Sequence, residues 1–257
     1  MPLAVIPWFE LPSLRLGPVT IQSFGVLSAL GILAGVEIAS RLAARDGRDP
    51  KVVVDFAVAG VIAGVVVGHL VHLFAYHPEE LSETGRVLKV WEGLSSMGGL
   101  AGGVAAAVVF FRLRRLRFHD YADALAVGTA TAWGIARIGC FTVHDHPGVH
   151  SGFFLAVRFA DGPRHDLGLY EAIVLLSLGA LLWWMFRRGL AKGRLLGLLA
   201  LLYGTARFLL DFLRARDVPY ADARYLGLTP AQYAAFALWA YAAWALWPRR
   251  APDARSP

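Results

Sequence analysis

Apolar residues fall along this chain in long blocks separated by short polar and basic turns, not in the narrow stripes of a water-soluble protein. Seven windows, at about 21–42, 52–74, 95–113, 121–143, 167–186, 195–213 and 230–247, each approach the length a bilayer crossing requires, because a hydrocarbon core of roughly 30 Å takes about 20 helical residues. The pattern predicts an all-α integral membrane fold of about seven transmembrane helices, forming a single polytopic domain over residues 1–257. A mean hydropathy of +0.53 agrees with lipid as the solvent. Met1 to Thr20 lacks the basic start, short apolar core and small-residue cleavage site of a secretory leader, so the first window is expected to act as the insertion signal.

The basic residues between the windows set the orientation. Arg41, Arg45, Arg48 and Lys51 follow the first window, Arg112, Arg114, Arg115 and Arg117 the third, and Arg187, Arg188, Lys192 and Arg194 the fifth. With Arg249, Arg250 and Arg255, one side collects 15 Lys and Arg residues against 8 on the other. The richer side is cytoplasmic, which puts the N-terminus outside and the C-terminus in the cytoplasm. The net charge of +6 is thereby spent on topology and forms no continuous basic face, so a nucleic-acid partner is not expected. Cys140 is the sole cysteine, which excludes an internal disulfide.

Only Arg137 and Arg207, among the 25 Lys and Arg residues, lie deep inside the apolar windows, Arg41 and Arg112 standing at the window ends. Each sits about six residues from the outer end of its helix, roughly 9 Å deep at 1.5 Å per residue. A guanidinium in hydrocarbon costs roughly 2.5–3.5 kcal/mol on insertion scales, so two at matching depth are expected to have a shared partner. The plainer alternative is a structural ion pair, for which Asp211 is placed one turn beyond Arg207. The other polar residues gather in the same half: Ser23, His69, His72, Ser95, Ser96, Tyr170, Glu171 and Tyr203, against little more than Glu37 and Asp55 in the inner half. That asymmetry predicts a polar cavity open to the outer leaflet and argues against a transport path, which needs polar lining at every depth. Two permanently charged, forked donors suit a phosphate, and the phosphates at that depth belong to membrane lipids.

The connection between the fourth and fifth windows carries His144, Asp145, His146 and His150, then Arg164, His165 and Asp166. A metal held by His144, His146 and a carboxylate is conceivable, but no second ligand pair has zinc spacing; neither metal nor cofactor is expected. Gly60, Gly64 and Gly68, and Gly98, Gly99, Gly102 and Gly103, read as close helix packing. Gly98 and Gly99, next to Ser95 and Ser96, are also suited to admit a headgroup to the backbone.

Several blocks, in order along the chain, resemble the prolipoprotein diacylglyceryl transferases, seven-helix proteins of the bacterial plasma membrane. Arg137-Ile138-Gly139-Cys140-Phe141 is similar to the family's Gly-Arg-Ile-Gly-(Asn/Cys)-Phe signature, and Tyr203-Gly204-Thr205-Ala206-Arg207, with Asp211 and Arg214, to its Tyr-Gly-x-x-Arg block. Arg164-His165-Asp166-Leu167-Gly168-Leu169-Tyr170-Glu171 resembles Arg-His-Pro-x-Gln-Leu-Tyr-Glu. Trp91-Glu92-Gly93 through Gly98-Gly99-Leu100 resembles Trp-x-Gly leading into His-Gly-Gly-Leu, and Gln22-Ser23-Phe24-Gly25 the first-helix block.

The resemblance implies transfer of a diacylglyceryl group from phosphatidylglycerol to the lipobox cysteine thiol of a preprolipoprotein, at the outer leaflet of the bacterial plasma (inner) membrane. It places the family's essential arginines on Arg137 and Arg207. His165 joins them in the expected catalytic set, and Tyr203, Asp211, Gly139, Gly98, Gly99, Glu171, His144 and Asp145 are expected to bind substrate. The nucleophile belongs to the acceptor protein, so Cys140 is expected to be a small buried residue. Met97 stands where many members have a histidine, Phe24 where a tyrosine is usual, Ala136 at the first glycine of the signature, and His144-Asp145 at the usual Gly-(Glu/Asp). A proton acceptor absent from position 97 would then come from His165, His69 or the His144-Asp145-His146 cluster. A non-catalytic descendant that binds anionic lipid or lipoprotein through the same arginines is the alternative.

Overall fold

The structure, a computed structural model, describes residues 6–11, 13–16, 19–82, 85–90, 93–219 and 221–247. Trp91 and Glu92 of the Trp-x-Gly block, and the tail arginines Arg249, Arg250 and Arg255, lie outside the described residues. Among the described residues, seven α-helices coincide with the seven apolar windows: α1 Ser23–Arg45, α2 Pro50–Val71, α3 Ser96–Leu113, α4 His119–Val143, α5 Leu167–Arg187, α6 Leu195–Leu210 and α7 Pro230–Leu246. A π-helical turn, His72–Tyr76, prolongs α2, and a 3-10 turn, Asp211–Leu213, prolongs α6. With these extensions, α1, α2, α4, α5 and α6 are long and apolar enough to cross a membrane. Met97–Leu113 forms a shorter apolar helix, and α7 is 17 residues long, about 26 Å. Large apolar side chains such as Leu33, Ile62 and Leu113 stand 60% exposed or more on the helix surfaces, as a lipid-facing surface requires.

The helix ends follow from local chemistry. Asp49 caps α2 through Lys51 N, with Pro50 in the first turn; Ser95 caps α3 through Gly98 N; Thr229 and Gln232 form a reciprocal capping box on α7. Helix α6 has no cap from its own preceding residue, Arg194. The buried carboxylate of Asp123 on α4 accepts instead from Gly193 N and Leu195 N, at 2.5 and 2.9 Å, placing negative charge at the positive end of the helix dipole.

The chain groups into two compact units, one holding residues up to Ile38 and from Ala122 onward, the other Ala39–Tyr121. In the second unit, α2 and α3 pack face to face. A Cβ on Gly98 would lie 2.7 Å from Val71 Cβ and one on Gly102 2.4 Å from the Ala63 carbonyl oxygen, so glycine is required at both for backbone contact. Arg114 and Asp55 pair at 2.8 Å near one end of this hairpin. At the other end His69, fully buried, faces the carbonyl oxygens of Gly93 and Arg86 at 3.1 and 3.2 Å.

In the first unit, α1 lies against α4 through Gly31 and Gly35, where an added Cβ would stand 2.5 Å from the carbonyl oxygens of Ala132 and Gly128. The connection between α4 and α5, read from sequence as a loop, folds instead as a small sheet. Strands β3 Pro147–His150, β4 Val157–Phe159 and β5 Gly162–Asp166, numbered after the hairpin β1 Leu14–Leu16 and β2 Val19–Ile21, pair antiparallel in the order β3-β5-β4. The start of the described chain joins it, Ile6 bridging to Val157.

Candidate functional site

Helices α4, α5 and α6 bring polar residues at one end of their spans to one point. Arg137 on α4 and Arg207 on α6 converge on Glu171 of α5, whose carboxylate is fully buried. Arg137 Nε lies 3.1 Å from Oε2, and Arg207 Nη1 donates to Oε1 at 2.9 Å. The Tyr203 hydroxyl, one turn before Arg207, donates to Oε2 at 2.9 Å. Glu171 is the shared partner that the matched depth of the two arginines demands.

A second carboxylate extends the cluster. Asp211, also fully buried, pairs with Arg207 Nη1 at 2.9 Å and accepts from Arg214 Nε at 3.3 Å. The Thr229 hydroxyl donates to its other oxygen, which ties α7 to the site. Three guanidiniums, each no more than 16% exposed, therefore surround two buried carboxylates. The formal balance is one positive charge in excess, before the half-exposed Asp222 that pairs with Arg214 at 2.5 Å. In a partly dry site such an excess favours a singly charged anion with several acceptor oxygens, and a phosphodiester is one.

The segment after α4 completes the surroundings. His144 takes a left-handed backbone conformation, φ +48°, which stops the helix. Its buried ring is spanned by two acceptors, the Asp166 carboxylate at 2.7 Å from Nδ1 and the Phe9 carbonyl oxygen at 2.9 Å from Nε2. Trp8, Phe9, Phe141 and Phe159 pack around it. His144 thus ties the start of the described chain to the sheet through both ring nitrogens. Asp166 also caps α5 through Leu169 N, so its carboxylate orients the helix that carries Glu171.

His146 lies against Arg137, its Nε2 3.0 Å from Nη1, while its Nδ1 is 2.5 Å from Asp145 Oδ1. Asp145 is thereby engaged with a neighbouring ring, and it lines a shallow cleft with Pro147, Arg214 and Asp222. Cys140 is buried, its Sγ 3.6 Å from Arg137 Nη1. Cys140, Asp145 and His146 offer three ligand atoms within 4.8 Å of one another, but the guanidinium of Arg137 lies against two of them and disfavours a cation there.

His165, on β5, has Nδ1 2.7 Å from the Tyr170 hydroxyl, and burial lowers its pKa below the ordinary 6.5. Next to it, the buried Arg164 is gripped by Asp161, at 2.5 to 3.1 Å, and by Asp217, at 2.6 and 2.9 Å. Those two carboxylates raise the Arg164 pKa, and the guanidinium holds Asp217 down to about 2.

The glycines expected to face substrate have packing roles. A Cβ on Gly139 would meet the Phe24 backbone at 3.1 Å. Gly98 and Gly99 belong to the second unit, where they face Gly68 and Gly64 of α2. The sequence offered His146 only as one member of the His144-Asp145-His146 cluster, and it did not point to Thr229.

Arginines that share a buried counter-charge within long apolar helices mark a multi-pass membrane protein with a charged cluster inside its spans. The prolipoprotein diacylglyceryl transferase family model matches residues 12–248. The phosphatidylglycerol–prolipoprotein diacylglyceryl transferase of Nitratidesulfovibrio vulgaris (strain DP4) is 33% identical over 241 residues, 90% of this chain and 90% of that protein. Those of Tolumonas auensis and Geobacillus kaustophilus are 33% and 32% identical, covering 80% and 81% of this chain and 83% and 82% of theirs. The chain belongs to the prolipoprotein diacylglyceryl transferase family.

Proposed function

We propose that this protein transfers the diacylglyceryl group of phosphatidylglycerol to the lipobox cysteine thiol of preprolipoproteins at the outer leaflet of the bacterial plasma membrane. The observation that carries the reading is the convergence of Arg137 and Arg207 on the buried Glu171, with one formal positive charge in excess across the cluster. The thiolate attacks the glycerol carbon bonded to the phosphate oxygen. As that C–O bond breaks, negative charge grows on the departing glycerol phosphate. Arg137 and Arg207, held in place by Glu171, Tyr203 and Asp211, stabilise it as it forms, and preorganised donors of this kind are worth roughly 10²–10³ in turnover each.

Seven spans, an outside N-terminus and a cytoplasmic C-terminus complete the proposal, supported by the seven helices and by the 15-to-8 bias of Lys and Arg. That orientation puts the arginines in the leaflet where a secreted acceptor meets lipid. The test is formation of a thioether-linked lipopeptide, with release of glycerol phosphate, by purified protein in nanodiscs supplied with phosphatidylglycerol and a lipobox peptide. Headgroup binding without product would instead favour a lipid-binding relative that has lost its chemistry.

A further inference from the structure

A thiol of pKa about 8.5 is largely protonated at neutral pH, so the transfer needs a proton acceptor beside the arginines. His69 and His144 have both ring nitrogens against acceptors, and His165 is bonded to Tyr170. His146 differs from all three. An arginine can only donate, so the His146 Nε2 that lies 3.0 Å from Arg137 Nη1 must present its lone pair. A carboxylate accepts, so the Nδ1 that lies 2.5 Å from Asp145 carries the proton. The two partners together select one tautomer of the neutral ring and aim its basic nitrogen at the guanidinium that receives the phosphate. With its side chain 21% exposed, the ring is also open to an incoming group.

We propose that His146 is the general base of the transfer and that Asp145 is its positioning residue; this rests on the transferase reading above. When the lipid phosphate takes the Nη1 donor of Arg137, the lone pair of Nε2 is released. The acceptor S–H bond then breaks, its proton passing to Nε2 and its electron pair forming the S–C bond to the glycerol carbon. As that bond forms, the C–O bond to phosphate breaks, leaving its pair on the phosphate oxygen between Arg137 and Arg207. The proton on His146 passes to the departing phosphate monoester or to water, which restores the resting ring. Coupling the base to headgroup arrival orders the reaction, because Nε2 is occupied until the donor lipid is docked.

The test measures initial rates from pH 6 to 9 in nanodiscs of full-length wild type, His146→Gln, Asp145→Asn and His165→Gln, with phosphatidylglycerol and a lipobox peptide, alongside binding of the lipid. Arg137 and Cys140 from α4 and Asp145 beside the ring are the groups facing it, and the wild-type profile reflects all of them. His146→Gln is expected to lower turnover by roughly 100-fold or more at pH 7 with lipid binding retained. Its residual rate should climb about tenfold per pH unit toward pH 8.5, as the peptide thiol ionises unaided. Imidazole added to His146→Gly should restore part of the rate, and Asp145→Asn should displace the pH profile and lower kcat with little change in KM for the lipid. A His146→Gln rate within about threefold of wild type, a uniform loss at every pH without imidazole rescue, or loss of lipid binding overturns the assignment. A wild type that makes no thioether overturns the transferase reading itself; wild-type product with unaffected His146 variants overturns only the base.

Discussion

Replacing Glu171 by glutamine keeps the side chain's size and removes the one charge that Arg137 and Arg207 share. The amide has a single acceptor oxygen. If it serves Arg207, its NH2 group faces Tyr203 and Arg137, both of which donate to or lie against the present Oε2. Each ion contact at about 4 Å is worth roughly 4 kcal/mol at an effective dielectric of 20, and the lost attractions are joined by unscreened repulsion between the guanidiniums. Removing one member of a buried pair typically costs about 3–5 kcal/mol, which for a domain of this size lowers the melting temperature by roughly 6–20 °C. Thermal unfolding in detergent, followed by tryptophan fluorescence, measures the loss. Added glycerol phosphate should recover more stability in Glu171→Gln than in wild type, because the anion takes the place of the missing carboxylate. A melt within 2 °C of wild type, with the same response to the anion, would refute Glu171 as the common counter-charge.

Thr229→Val leaves the buried Asp211 without its hydroxyl donor and α7 without its cap, and should cost about 2–4 kcal/mol in the same melt; a change below 0.5 kcal/mol would contradict the tie between α7 and the site. Burial lowers the His165 pKa in the folded protein, so the unfolded chain binds that proton more readily. Stability from this residue is intact above about pH 6.5 and falls as the solution is acidified below it, and His165→Gln should flatten part of the decline in melting temperature between pH 7 and pH 5. Cys140→Ser should keep turnover within about tenfold of wild type, because the thiol that forms the thioether belongs to the acceptor. A lipid adduct on Cys140, found by mass spectrometry, would move the nucleophile onto the enzyme.

The helices and the paired arginines were legible because lipid imposes a hard rule: a charge inside an apolar run has to be accounted for. Arg137 and Arg207 stand out by that rule, and their equal depth implies a common partner. That Glu171 fills the role, and not Asp211 alone, depends on how α5 is rotated between α4 and α6, which apolar windows without a strong polar stripe do not record. The sheet after α4 was not legible. Its strands are 3 to 5 residues long, too short for alternation to show, and β5 carries Arg164, His165 and Asp166 in succession. The same obstacle left His146 undistinguished from its neighbours: in His144-Asp145-His146, only the left-handed turn at His144 decides which ring enters the sheet contact and which meets Arg137. The expected headgroup contact at Gly98 and Gly99 met a similar ambiguity, since glycines that admit a ligand and glycines that admit a helix are written alike.

The most direct test of the account is the transfer assay in nanodiscs with wild type, Arg137→Ala, Arg207→Ala and the two lysine variants. The account predicts thioether product from wild type, a loss of roughly 100-fold or more in each alanine variant, and incomplete rescue by lysine, which lacks the planar fork. Near-normal turnover in either alanine variant would contradict it.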